Sequence, residues 1–70
     1  MKVIYDKQTD TLSLILRDDQ ISESDEFKEG IILDFDKEGK VVSIEILDAS
    51  KQIQEPFSLN YELKQMQLSV

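Results

Sequence analysis

The sequence predicts a mainly β fold: an antiparallel β-meander of five or six strands with one short helix after the fifth strand. Two observations carry this. Residues Thr11 to Arg17 place Leu12, Leu14 and Leu16 at alternate positions, the period of a strand with one buried face. The stretch Gly30 to Ser50, GIILDFDKEGKVVSIEILDAS, holds two apolar arms rich in β-branched residues around a polar, Gly-containing break. Each arm is too short for a helix, so together they read as a β-hairpin.

Taken in order, Lys2 to Asp6 is a first strand with Val3 and Tyr5 on one face. Lys7 to Asp10 is a polar connection, and Thr11 to Arg17 is the second strand. A loop over 7 to 10 pairs Tyr5 with Leu12 and Val3 with Leu14, apolar against apolar. Asp18-Asp19-Gln20 is a turn, and Ile21 to Lys28 (ISESDEFK) is a polar edge strand whose charges discourage strand addition. In the central hairpin a four-residue loop, Asp36 to Gly39, sets Phe35 opposite Lys40, Leu33 opposite Val42 and Ile31 opposite Ile44. That register gathers Ile31, Leu33, Phe35, Val42, Ile44 and Ile46 on one face; a one-residue slip would mix Ser43 and Glu45 among them. Gly39 closes the loop, where positive φ is expected and a residue without Cβ adopts it freely. Asp48 and Ser50 are both good N-cap types for a helix that Pro56 keeps short. Beyond it Phe57, Leu59, Tyr61 and Leu63 alternate with polar residues and read as a last strand. Residues 65 to 70 read as a tail or an extension of it.

Seventy residues make a single small domain, spanning 1–70. A chain of this size buries only about 60% of the surface its unfolded form exposes. With no cysteine there is no disulfide and no zinc–thiolate site, and with no histidine the commonest general base and metal ligand is missing. The opening MKVIYDKQTD lacks the apolar run of a signal peptide, and no stretch approaches the roughly 20 apolar residues of a membrane span. A cytoplasmic protein without membrane contact is expected. Fifteen acidic and eight basic residues give a net charge of −7, which repels phosphate backbones and argues against direct nucleic-acid binding.

Several constellations invite chemistry. Asp34-x-Asp36-x-Glu38-Gly39, followed by Glu45, matches the spacing of a calcium loop except at Glu38. That loop requires flanking helices, whereas these flanks alternate as strands, and the turn already explains Gly39 and the acidic residues. Asp6, Asp10, Asp18 and Asp19 suggest an acid pair, but they sit where turns use Asx side chains. Thr9, Ser22, Ser24 and Ser58 have no histidine to activate them. Tyr5 and Tyr61 read as core-edge residues with hydroxyls at water, and Glu45 and Asp48 as solvated positions that a partner could touch. No catalytic, cofactor-binding or metal residue is assigned.

The pattern YD-x-x-x-D-x-L, here Tyr5, Asp6, Asp10 and Leu12, with the later segment GIILDFDKEGKVVSIEILDAS, resembles a small prokaryotic domain-of-unknown-function family, number 2283. The match covers roughly residues 3 to 50 and is most specific at IEILDAS, Ile44 to Ser50. The chain departs from the family's usual residues at Ser43, where Gly is common, and at Thr9 and Thr11, where Ala is. The resemblance implies a compact β-meander with a short helix and no established reaction. It also implies, for some members, the small partner of a toxin–antitoxin-type pair.

The expected function is that of a non-enzymatic, acidic protein-interaction module, antitoxin-like, binding a basic protein partner. The alternative is a divalent-metal-binding or carboxylate-based enzyme. A homodimer is expected as well: the apolar face needs a second layer that the chain scarcely supplies, and Ile4, Ile15, Ile32, Val41 and Leu47 on the opposite face weigh against the competing solution, a monomer curled into a partial barrel.

Overall fold

A computed structural model describes residues 1–65. It contains β1 (Lys2–Asp6), β2 (Thr11–Ile15), β3 (Glu23–Lys28), β4 (Ile31–Phe35), β5 (Val41–Ile46) and α1 (Ala49–Gln52). All five strands are antiparallel members of one sheet, in the order β1-β2-β5-β4-β3. The class, the five strands and the helix after the fifth agree with the sequence. The strand order corrects the continuous meander. Hairpin neighbours lie side by side as expected, but β2 pairs with β5, and the chain crosses from β2 to the far edge to begin β3. The physical reason lies in β3, whose side chains are all exposed. So polar a strand belongs at an edge, and an apolar β5 beside β2 continues the buried stripe.

The first hairpin has the expected register, Tyr5 opposite Leu12 and Val3 opposite Leu14. The second shifts. Its loop runs over Asp36 to Lys40, with the Asp36 amide donating to the Lys40 carbonyl at 2.9 Å and Phe35 facing Val41. Continued unbroken, that pairing would set Leu33 against Ser43. A β-bulge absorbs Val42, so that Asp34 faces Ser43, Leu33 faces Ile44 and Ile31 faces Ile46. Leu33 and Ile31 thus each pair two residues beyond their expected partners, Val42 and Ile44, yet the grouping of Ile31, Leu33, Ile44 and Ile46 survives. Gly39, at φ 83°, takes the left-handed conformation the loop was expected to need.

One face of the sheet carries Val3, Tyr5, Leu12, Leu14, Ile31, Leu33, Phe35, Ile44 and Ile46, following the ladder register. Every one of them remains partly exposed. Among the described residues only Val42 and Ala49 are buried apolar side chains, and none of those residues forms a second layer over this face. The accessible surface is 6242 Å², against roughly 4,500 Å² for a compact protein of this mass.

The expected strand at Phe57 to Leu63 is not formed, which is a second correction. Residues 57–65 make no ladder pairing, and Phe57, Leu59, Tyr61 and Leu63 are between 66% and 81% exposed. Their alternation describes a strand that needs a neighbouring strand, and within one chain it has none. Pro56 follows Glu55, whose φ of 52° turns the chain away from α1. The expectation for residues 66–70 lies outside the described residues.

Candidate functional site

Two polar clusters stand out, one within the sheet and one at the end of it. Ser24, Asp34, Ser43 and Glu45 come from β3, β4 and β5 and share the face opposite the apolar one. The reason is period-2 geometry: Asp34 is paired with Ser24 on one side and Ser43 on the other. The Ser24 hydroxyl donates to Asp34 Oδ1 at 2.6 Å, and the Ser43 hydroxyl donates to Oδ2 at 2.6 Å. Asp34 is 2% exposed, the most buried large side chain described. Glu45 completes the group.

The two carboxyls of this cluster are shifted in opposite directions. Burial works to raise the Asp34 carboxyl, but the hydrogen bonds from Glu45, Ser24 and Ser43 together outweigh it and leave it below the ordinary 3.8. Glu45 moves the other way, above its ordinary 4.5, through its hydrogen bond to Asp34, then desolvation, then the Asp34 charge. Two hydroxyls donate to Asp34 and so favour its ionised form over that of Glu45. Such a pair has the outline of an acid dyad. Both Asp34 oxygens are occupied by serines, however, and the residue is closed to solvent. The cluster ties β3, β4 and β5 together across the sheet.

The second cluster joins the first turn to the helix. Asp10 holds φ at 54°, a left-handed conformation that aspartate tolerates. Its Oδ1 accepts the Tyr5 hydroxyl at 2.7 Å and the Ser50 amide at 3.0 Å, and its Oδ2 accepts the Ser50 hydroxyl at 2.6 Å. Its carbonyl accepts the Ala49 amide at 2.9 Å. The helix is thus capped by a residue forty positions away in sequence. Of the two N-cap candidates, Asp48 occupies the N-cap position as expected, in a left-handed conformation and with no side-chain cap bond, while Ser50 lies inside the helix, which corrects the second. The hydrogen bonds from Ser50 and then Tyr5 hold the Asp10 carboxyl below 3.8, and the Asp10 bond raises the Tyr5 hydroxyl above 10.0. Tyr5 therefore donates to a carboxylate, where the sequence placed its hydroxyl at water.

The calcium-like residues do not converge. Asp34 faces the serines, and Asp36 Oδ1 accepts the Glu38 and Lys40 amides at 2.9 Å each. Those amides, the Lys40 one first, hold the Asp36 carboxyl below 3.8. Among the described residues no group of three or more acidic, His or Cys side chains is placed to hold a metal ion. The turn aspartates also separate: Asp6 Oδ1 accepts the Gln8 amide at 2.9 Å, while Asp19 pairs with Arg17 at 2.8 Å. Ser22 and Ser58 enter the hydrogen bonding through their amides, to Phe35 and Glu55. Thr9 is exposed, and Tyr61, expected at the core edge, is 70% exposed.

An open groove of about 520 Å³ lies between the β2–β3 connection and the second hairpin loop, lined by Arg17, Asp19, Gln20, Ile21, Asp36 and Lys37 among others. Its charged groups are largely paired with one another, Arg17 with Asp19 and more distantly with Asp36 at 3.9 Å. Sequence reasoning missed the Asp34 network and the Asp10 cap. The signal for the first was the shared parity of Asp34, Ser43 and Glu45 on the polar face. For the second there was only the presence of two good capping residues with neither assigned to the other.

Among the described residues no helix is long and apolar enough to cross a membrane. Comparison with curated proteins and with solved structures found no match. A family model does match, over residues 2–50, and carries the description "Protein of unknown function (DUF2283)". Three of the residues within the resembling segments, Tyr5, Asp10 and Ser50, meet at the helix cap. With the match extending over most of its length, the chain belongs to the DUF2283 family.

Proposed function

We propose that this protein is a non-enzymatic interaction module of the cytoplasm that self-associates as a homodimer and offers its acidic exterior to a basic protein partner, in an antitoxin-like role. The observation that carries the reading is the apolar sheet face, partly exposed at every position. A sheet face of that composition is stable in water only under a second layer. A closed two-fold pairing supplies one from the same chain. The net charge of −7 supports a basic partner, whose binding would weaken with salt mainly through a slower association rate.

Light scattering behind a sizing column tests the first half. A mass of twice 8.1 kDa is expected, falling to the single-chain value in Leu14→Asp, which sets a charge at the centre of the apolar face. A mass of 8.1 kDa for the unaltered protein at high concentration refutes the homodimer. For the second half, the unaltered protein serves as bait in its native cell, with mass spectrometry of what co-purifies. A basic protein released by salt is expected, and a neutral or acidic one held regardless of salt counts against the reading.

A further inference from the structure

The same chain leaves two apolar features in water, the sheet face and the alternating segment from Phe57 to Leu63. They also need each other in area. Five strands of five residues span roughly 24 by 17 Å, a footprint of about 400 Å². A stable dimer buries about 800 Å² per partner. Phe57 and Tyr61, at roughly 150–250 Å² for each aromatic, together with Leu59 and Leu63, supply the remainder.

We propose that residues 57–63 of each copy pair along β1 of a second copy as a sixth strand, exchanged reciprocally, so that their apolar side chains join the layer between two facing sheets. This rests on the homodimer reading and specifies how it closes. The alternative edge is β3, which carries three acidic residues and one lysine, a net −2, and is interrupted by a bulge between Glu26 and Lys28. β1 carries one lysine and one aspartate and is regular over Lys2 to Asp6. The segment 57–64 has one glutamate and one lysine, so it meets no repulsive edge at β1.

Side-chain parity then limits the register. Val3 and Tyr5 lie on the apolar face, so they must stand opposite members of the apolar set of the segment. Antiparallel pairing of Val3 with Tyr61 and Tyr5 with Leu59 places Lys2 opposite Glu62 and Ile4 opposite Asn60. Parallel pairing of Val3 with Leu59 would instead set Asp6 against Glu62, and the antiparallel register shifted by two would set Lys2 against Lys64. Directly opposed like charges destabilise a strand pair, and opposite charges stabilise it. Of the antiparallel registers this one alone sets opposite charges across from each other, and antiparallel pairing is slightly the more stable per residue.

The chain has no cysteine, so introduced thiols report cleanly. Ile4→Cys protein is mixed with Asn60→Cys protein, oxidised with copper–phenanthroline, and the disulfide-linked heterodimer identified by mass. Efficient cross-linking is expected for this pair, and several-fold less for Ile4→Cys mixed with Lys64→Cys. If the unaltered protein has twice the chain mass but neither mixture, or both equally, cross-link, strand exchange is wrong while face-to-face pairing stands. If the unaltered protein has the mass of one chain, both readings fall. Should the cysteine variants lose their β-sheet circular dichroism, hydrogen exchange on the unaltered protein decides. Amides over residues 58–62 are then expected to be protected and to lose that protection on dilution to monomer; fast exchange there in the dimer overturns the proposal.

Discussion

The two faces of this sheet invert the usual relation between polarity and burial. The apolar face holds Val3, Tyr5, Leu12, Leu14, Ile31, Leu33, Phe35, Ile44 and Ile46, all still partly in water. The polar face holds the most buried large side chain, Asp34, locked by two serine hydroxyls at 2.6 Å each. Alternation along a strand decides which residues share a face, but which face is closed depends on what lies over it. On the polar side short hydroxyls and a carboxyl close in on each other. The apolar side chains need a layer that the described residues do not fold over them.

The sharpest way to break the contrast is to charge the apolar face. Leu14→Asp, at the centre of that face, is expected to halve the mass measured by light scattering; an unchanged dimer would mean the face is covered some other way. Next in size is Asp34→Ala. It removes two charge-assisted hydrogen bonds and strands two hydroxyls, a loss of about 2–3 kcal/mol, or roughly 10–20 °C in melting temperature at this size. A loss under a few degrees would show that the polar face is not closed by this network.

Glu45 sharpens the comparison through pH. Its folded pKa is raised above 4.5, so its contribution is fully present below that value and is lost as pH rises through the folded one. At neutral pH it then stands ionised beside Asp34. Glu45→Gln keeps a donor to Asp34 and removes the repulsion, so it is expected to raise stability at pH 7 by about 0.5–1 kcal/mol, the scale of a cross-strand pair. The gain should vanish towards pH 4 in denaturant titrations; a pH-independent difference would contradict the raised pKa of Glu45. Asp10 and Asp36 work in the opposite sense, their depressed pKa values giving stability that is lost as pH falls below 3.8.

An effect of similar size is expected at Gly30, which lies at the β3–β4 turn with φ 80°. A Cβ there would come 2.7 Å from Gln52 Nε2, the end of a side chain that donates to the Leu47 carbonyl at 2.9 Å. Gly30→Ala combines the left-handed strain with the loss of that bond and is expected to cost about 1 kcal/mol. No measurable shift in the denaturation midpoint would mean the turn relaxes freely.

Much of the fold was legible because the period-2 signal is local. The Leu12, Leu14, Leu16 alternation and the loop length gave the pairing of β1 with β2, and the polarity of ESDEFK gave an edge strand. Parity gave the grouping of Ile31, Leu33, Ile44 and Ile46 even though the Val42 bulge moved their partners. The contact of β2 with β5 was hidden, since hairpin rules speak only of neighbours in sequence. The same limit applies to Phe57 to Leu63, whose pattern states a need for a partner strand without saying which chain provides it. Of the candidate site, Asp34 was noticed for the wrong company: its spacing to Asp36 suggested a cation, while its true partners are Ser24 and Ser43 on adjacent strands.

The Asp10–Ser50 bond has a consequence for how the chain folds. The β1–β2 hairpin and the β3–β4–β5 unit each close through short loops, with little entropy lost. The clasp between residues 10 and 50 can form only after β5 has docked on β2, the most distant pairing in the sheet. Contacts of such separation slow folding, because the chain is ordered before they are gained. Loosening the clasp should therefore show in a stopped-flow chevron as faster unfolding at an almost unchanged refolding rate. The helix it holds would be the last element to settle and the first to leave.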